Sequence, residues 1–281
     1  MAEIRGSYRF KAQAIERAHE QAITYLKNAL YNLRPLDEGR PPKWTRDYLQ
    51  GFFGLQPSDP LPVSQLTHMI QALLTGMSDW SLAPLSSNRY VVGTNKRGYE
   101  STIAFVVKAD PLKRIHLTER FFQMPLYRLR FPGGHRGFSA ASHFRAVTLI
   151  HELSHLVNGT HDIAYLESGA PFTDLLDETT PDDFRVKTEV TEYQRKSLSH
   201  LSQAKDLFRK RERTGWRDLE DRDGNARKAI LKITGQQNLD NARLIFLTDA
   251  AKRSQVMLTN ADSVALLITN LGRYRFTETR V

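Results

Sequence analysis

The chain of 281 residues contains no cysteine. That excludes disulfide staples and thiolate ligands, so any metal site has to be built from histidine and carboxylate. Long apolar runs are also missing, and no stretch approaches the ~20 residues that cross a bilayer as a helix. The opening Met1-Ala2-Glu3-Ile4-Arg5-Gly6-Ser7 lacks the hydrophobic core of a secretory signal. Internal repeats and low-complexity tracts are absent, which excludes solenoids and arrays. Methionine is scarce at five residues, and only Met257 lies in the second half of the chain.

Basic residues outnumber acidic ones by 40 to 31, for a net charge of +9. The excess is dispersed. Clusters occur at Lys205 to Arg217 and around Arg128 to Arg136, but Asp218-Leu219-Glu220-Asp221-Arg222-Asp223 interleaves acid directly after the first. That alternation reads as a solvated face, no nucleic-acid-binding motif is present, and no nucleic-acid partner is expected. Hydrophobic content of 40% and charged content of 25% are those of a globular protein.

Periodicity predicts a mainly helical chain with a small sheet, an α+β class. Helices are expected over Tyr8 to Leu33 (closed by Arg34-Pro35), Thr45 to Phe53, and Val63 to Leu74 with Gly76 at its end. Tyr90-Val91-Val92 and Thr102 to Val107 read as strands around a Gly93 to Gly98 turn, and Ile115 to Phe122 as a third strand or a strand that leads into a turn. The remainder reads as helix over Phe184 to Arg213, Asn225 to Ile233, Leu239 to Leu258 and Ser263 to Leu271.

His151-Glu152-Leu153-Ser154-His155 carries the chemistry. Residues four apart share a helix face, so both imidazoles can address one metal ion, with Glu152 beside them to take a proton from water rather than to ligate. With nine histidines in the chain, a chance HExxH arises in roughly one such chain in a hundred, which favours a metal site over an ordinary helix. Ser139 fits an N-cap for this helix, Phe144, Val147 and Ile150 follow at helical spacing, and Asn158-Gly159 supplies the stop. A catalytic zinc takes three protein ligands and keeps one position for water. Gly159-Thr160-His161-Asp162-Ile163-Ala164-Tyr165 offers two candidates for the third ligand, His161 and Asp162.

Here the chain resembles the aspzincins, the deuterolysin and peptidyl-Lys metallopeptidase group, whose pattern is HExxH followed closely by GTxDxxY. Every fixed position of both pieces is matched within residues 151 to 165. The resemblance implies a zincin-like fold with Zn²⁺ held by His151, His155 and Asp162. It also implies Glu152 as general base and Tyr165 as hydrogen-bond donor to the oxyanion. Ile115-His116-Leu117 running into Phe121-Phe122 is similar to the strand before the metal helix in that family, and Asn260-Ala261-Asp262-Ser263 to its C-terminal NADS stretch. The seven-residue step from His155 to Asp162 is also similar to that of bacterial effector proteases with an aspartate ligand. The missing cysteines set the chain apart from the secreted, disulfide-dependent fungal members.

Other readings stay open. His161 stands ten residues after His151, where a metzincin places its third histidine, although Asn158 occupies that pattern's glycine and Met257 is the only downstream methionine for a Met-turn. Glu189 or Glu192 could reach in from a later helix, as in gluzincins. In the acidic stretch 167 to 183, Asp174, Asp177 and Glu178 could select a Lys or Arg side chain, with a solvated loop as the simpler reading. His135 and His143 precede the helix and read as packing residues before substrate contacts.

The expectation is one catalytic domain over 1–281, with a lobe of 1–158 that holds sheet and metal helix and a mainly helical lobe of 159–281. Its activity would be hydrolysis of peptide bonds in protein or peptide substrate. A zinc amidase for cell-wall cross-links and a non-catalytic metal-binding toxin or scaffold domain are the alternatives, and intact Glu152 argues against the last. The expected location is the cytoplasm of the producing cell, or export as an effector by a specialised secretion system.

Overall fold

The computed structural model describes residues 8–37, 42–79, 82, 88–93, 102–123, 138–176, 178–212 and 215–274. Residues 94–98 of the expected turn, the Gly-rich segment before Ser139, the Arg128 to Arg136 cluster, His135 and Asp177 lie outside them.

The class is mixed α+β, mostly helical. Three helices come early: α1 (Arg9–Asp37), α2 (Lys43–Phe53) and α3 (Val63–Ser78). Strands β1 (Tyr90–Val92), β2 (Ala104–Val106) and β3 (Ile115–Leu117) follow, then a single-turn helix α4 (Glu119–Phe122) and α5 (Ala140–Val157), which carries HExxH. After it come α6 (Pro181–Ser197), the ribbon β4 (Arg209–Glu212) and β5 (Gly215–Asp218), then α7 (Ala226–Thr234), α8 (Leu239–Thr248), α9 (Ala250–Thr259) and α10 (Ala261–Gly272).

The first sheet has the order β1-β3-β2. β3 pairs parallel to β1 (Tyr90 opposite Ile115) and antiparallel to β2 (Ala104 opposite Leu117). Alternation places Ile115 and Leu117 in the core, while His116 turns outward and stacks on Phe105 at 4.7 Å. β2 and β3 lie against α5, so the sheet flanks the HExxH helix.

Helix α5 is central, and most of its residues are buried. It packs against α1, α3 and α10, burying Ala146, Val147, Leu149, Ile150 and Leu153. Each large aliphatic side chain buried this way contributes about 1.5–3 kcal/mol. Small residues let the neighbours close in. Ala14, Ala18, Ala22 and Ala29 are buried on α1. A Cβ on Gly272 would lie 2.0 Å from the Tyr25 carbonyl oxygen, so α1 and the end of α10 touch at backbone distance. Gly76 lets α3 approach the end of α5, where a Cβ would press on the Val157 side chain at 3.2 Å. This glycine lies within α3 and serves packing, whereas the sequence reading places it at the helix end.

Other expected boundaries differ as well. Helix α1 continues through Pro35 to Asp37, because a proline in the last turn forfeits only one intrahelical bond. Of the two readings of 115–122, a strand leading into a turn holds: β3 ends at Leu117 and Thr118 caps α4 by accepting from Arg120 N. The long helix expected to Arg213 stops at Ser197. Leu198 turns into the core, Ser202 Oγ donates to the Arg195 carbonyl at 2.7 Å, and the chain re-enters as a β-ribbon. In that ribbon Arg217 bonds Asp223 (2.6 and 2.8 Å) and pairs with Glu212, so much of the basic cluster is neutralised internally. The helix expected over Leu239 to Leu258 is two, because Asp249 caps a new start by accepting from Lys252 N at 2.9 Å. Arg253 then fixes the corner, donating to the Phe53, Gly54, Phe246 and Leu247 carbonyls, the open ends of α2 and α8.

Candidate metal centre

Helix α5 begins as its sequence dictates, with Ser139 Oγ accepting from Ser142 N at 3.2 Å. Of the two stop residues only Gly159 is left-handed (φ 66°), and Asn158 closes the helix with a negative φ. The tight exit turns the chain back along the helix, and Thr160 to Ser168 passes directly over His151 and His155.

Three side chains converge there. Asp162 Oδ1 lies 3.0 Å from His151 Nε2 and 3.4 Å from His155 Nε2. The candidate ligand atoms all lie within 4.8 Å of one another, and among the described residues no other such group forms. Both imidazoles are 9% exposed, whereas the Asp162 side chain is 47% exposed, so the cluster opens outward through its carboxylate.

The far side of each ring is held. His155 Nδ1 lies 2.9 Å from the Thr160 carbonyl, which can only accept, so Nδ1 carries the hydrogen and Nε2 presents its lone pair to the cluster. His151 Nδ1 faces Asp262 Oδ1 at 3.4 Å, the outer carboxylate that orients a ligating histidine. Burial opposes a charge on the His151 ring, but Asp162 and Asp262 reverse that and hold its pKa well above the usual value. Burial would raise the Asp162 carboxyl, and the two imidazoles more than offset it, leaving Asp162 well below the usual carboxylate range. The three side chains together offer two nitrogen donors and one carboxylate oxygen, a set that could hold a metal ion.

Glu152 is 6% exposed and makes no hydrogen bond or ion pair with a described residue. Burial raises its pKa, opposed by the neighbouring His151 and His155. Tyr165 stacks on the His151 ring at 6.2 Å and 5° between planes. Its pKa is raised by loss of solvent and by the charges of Asp162, Glu152 and Asp262, which keeps the phenol protonated as a donor.

The loop owes its path to residues far away in sequence. Asn260 Oδ1 accepts from Ile163 N (3.0 Å) and Ala164 N (3.1 Å), and its Nδ2 donates to the Ala164 carbonyl. Asp262 accepts from Leu166 N and from Ser168 Oγ. His161 N donates to the Thr259 carbonyl and Ala261 N to the His161 carbonyl, a parallel bridge that seats the loop on the start of α10. The sequence reading gives Asn260-Ala261-Asp262-Ser263 only as a weak likeness, with no role attached. The available signal is a polar pair opening an otherwise apolar helix.

The remaining candidates stand apart from the cluster. The His161 ring turns away and donates from Nδ1 to the Gly224 carbonyl at 2.9 Å. Glu189 is exposed and pairs with Arg185, and Glu192 is exposed on the same helix. Met257 is buried in the core. Asp174 pairs with Arg273 at 2.6 Å and Glu178 with Lys187, so these acids are occupied. His143 is fully packed, its Nε2 donating to the Ala170 carbonyl at 3.0 Å and its Nδ1 accepting from Tyr25 at 2.9 Å. Comparison with protein-family models, with curated proteins and with solved structures finds no match.

Proposed function

We propose that this chain is a zinc-dependent endopeptidase of zincin-like fold, hydrolysing peptide bonds in protein or peptide substrates. The observation that carries the reading is the convergence of His151 Nε2, His155 Nε2 and Asp162 Oδ1 beside a buried Glu152 that has no hydrogen bond or ion pair with a described residue. His151, His155 and Asp162 would hold the ion, leaving the outward side for water and substrate. Zinc, when bound, supplies Lewis acidity that brings the pKa of water towards neutrality.

The other steps belong to the chain itself. Glu152 accepts the proton of the attacking water and returns it to the leaving amine, a role suited to a carboxylate whose pKa burial has raised. Tyr165, kept protonated, donates its phenolic hydrogen to the oxygen that gains charge as the carbonyl becomes tetrahedral. Asp262 and the Thr160 carbonyl hold the two rings in register. β2, which pairs on one side only among the described residues and lies against α5, can align an extended substrate through backbone hydrogen bonds.

The test is Glu152→Gln in the full chain, with zinc content and casein digestion measured together. Retained zinc with digestion lost supports the reading. Loss of zinc with the fold intact would make Glu152 a ligand, and unchanged digestion would remove it from the chemistry.

A further inference from the structure

On the other face of the ligand loop, His161 forms one wall of a cleft of about 530 Å³. The remaining walls come from Asn225 and α7 (Lys228 and Lys232, with Ala229 and Ile233) and from α9 (Lys252, Gln255). Three lysines thus share one cleft with no acidic residue in its lining. None of them is paired with an acidic side chain among the described residues. The neighbouring acids are spent elsewhere, Asp221 on Arg227 and Asp223 on Lys210 and Arg217.

This arrangement costs stability in the empty protein. Lys228 and Lys232 are four apart on α7, a spacing at which like charges repel. Lys228 and Lys252 are each the third residue of their helix, where the macrodipole already places positive charge. The start of α7 has no acid in its first turn and no side-chain cap, whereas Asp249 already caps α9. An anion in the cleft would relieve the Lys228–Lys232 repulsion and complement the start of α7.

The cleft starts one residue from the candidate metal ligand. His161 and Asp162 are neighbours on one loop, so a substrate segment that continues past His161 from the metal cluster would meet the lysines.

We propose that the Lys228, Lys232 and Lys252 cleft is a subsite for an anionic side chain of the substrate, a carboxylate or a phosphoryl group, so that the enzyme prefers acidic segments. This rests on the peptidase reading for its meaning. It also reverses the selectivity that the acidic stretch after the motif suggested, since Asp174 and Glu178 already neutralise Arg273 and Lys187.

Binding separates the two ideas. In full-length Glu152→Gln protein loaded with zinc, fluorescence anisotropy would compare short peptides that differ only in carrying Glu, Gln or phosphoserine. The Glu peptide should bind roughly tenfold tighter than the Gln peptide, with the advantage shrinking as salt rises. Lys228→Gln, Lys232→Gln and Lys252→Gln together should erase the preference, and three Lys→Arg changes should keep it. The phosphoserine arm tells which anion fits better. Equal binding of Glu and Gln peptides, or a preference that survives the triple Gln variant, overturns the proposal. So does a single-stranded oligonucleotide that displaces the acidic peptide at lower concentration. Acidic peptides held through the lysines but cut by no active form would sink the peptidase reading and leave the cleft standing. Cleavage indifferent to acidic residues would do the reverse.

Discussion

Two short regions build the candidate metal cluster, and they are built in opposite ways. His151, Glu152 and His155 are placed by local geometry, because a helical repeat puts them together whatever lies elsewhere in the chain. Asp162 and Tyr165 sit on an irregular loop whose backbone is satisfied by Asn260 and Asp262, about a hundred residues on. The comparison teaches that a ligand on a loop is only as firm as the side chains that occupy its backbone donors.

Substitutions can break that contrast. The largest effect is expected for Asp162→Ala, which should abolish stoichiometric zinc binding, while His161→Ala leaves it nearly unchanged because its ring bonds Gly224 instead. Metal analysis of both purified variants checks this, and the opposite pattern makes His161 the ligand. Next, Tyr165→Phe should lower turnover by about 10²–10³-fold with zinc content intact. An unchanged rate would reduce the tyrosine to a stacking partner of His151.

Asp262→Asn follows. It keeps the shape but weakens the acceptor for Leu166 N and the partner of His151 Nδ1, so zinc affinity should drop by roughly 10–100-fold. A competitive chelator titration reads it, and wild-type affinity would show that the loop holds without the carboxylate. The smallest effect at neutral pH belongs to His143, two turns before His151 on the same helix. Burial lowers its pKa to about 4, the Ala170 and Ser168 backbone opposes this, and Arg273 lowers it further. A depressed folded-state pKa means the unfolded chain binds the proton first. The neutral ring therefore supports the fold fully above pH ~6.5, and that support is lost as pH falls towards 4, on the order of 3 kcal/mol. Denaturant melts of wild type and His143→Gln at pH 7 and pH 4.5 measure it. Equal pH slopes would remove His143 from the acid response.

The same division decides what can be read from sequence. HExxH, the Ser139 cap and the apolar positions of α5 are local patterns, and the structure places them together as expected. So are the cores of α1 to α3 and the three strands of the first sheet. The break at Asp249 is hidden because Leu239 to Leu258 keeps one apolar rhythm across it, and only the cap of Asp249 on Lys252 N reveals the corner. The ribbon at Arg209 to Asp218 is hidden for the opposite reason: its charged residues carry no strand alternation, and its pairing is held by Arg217 with Asp223 and Glu212. Asn260 and Asp262 are visible as residues, but nothing within the sequence says which distant backbone they serve.

The bridge between His161 and Asn260 also has a consequence in time. A ribosome makes residue 161 ninety-nine positions before residue 260, an interval of about 5–20 s at roughly 5–20 residues per second. Throughout that interval the two histidines exist on their helix while the strap that seats Asp162 has not yet been synthesised. The three-residue cluster is therefore completed only once Asn260 and Asp262 have been made and can reach back to the loop.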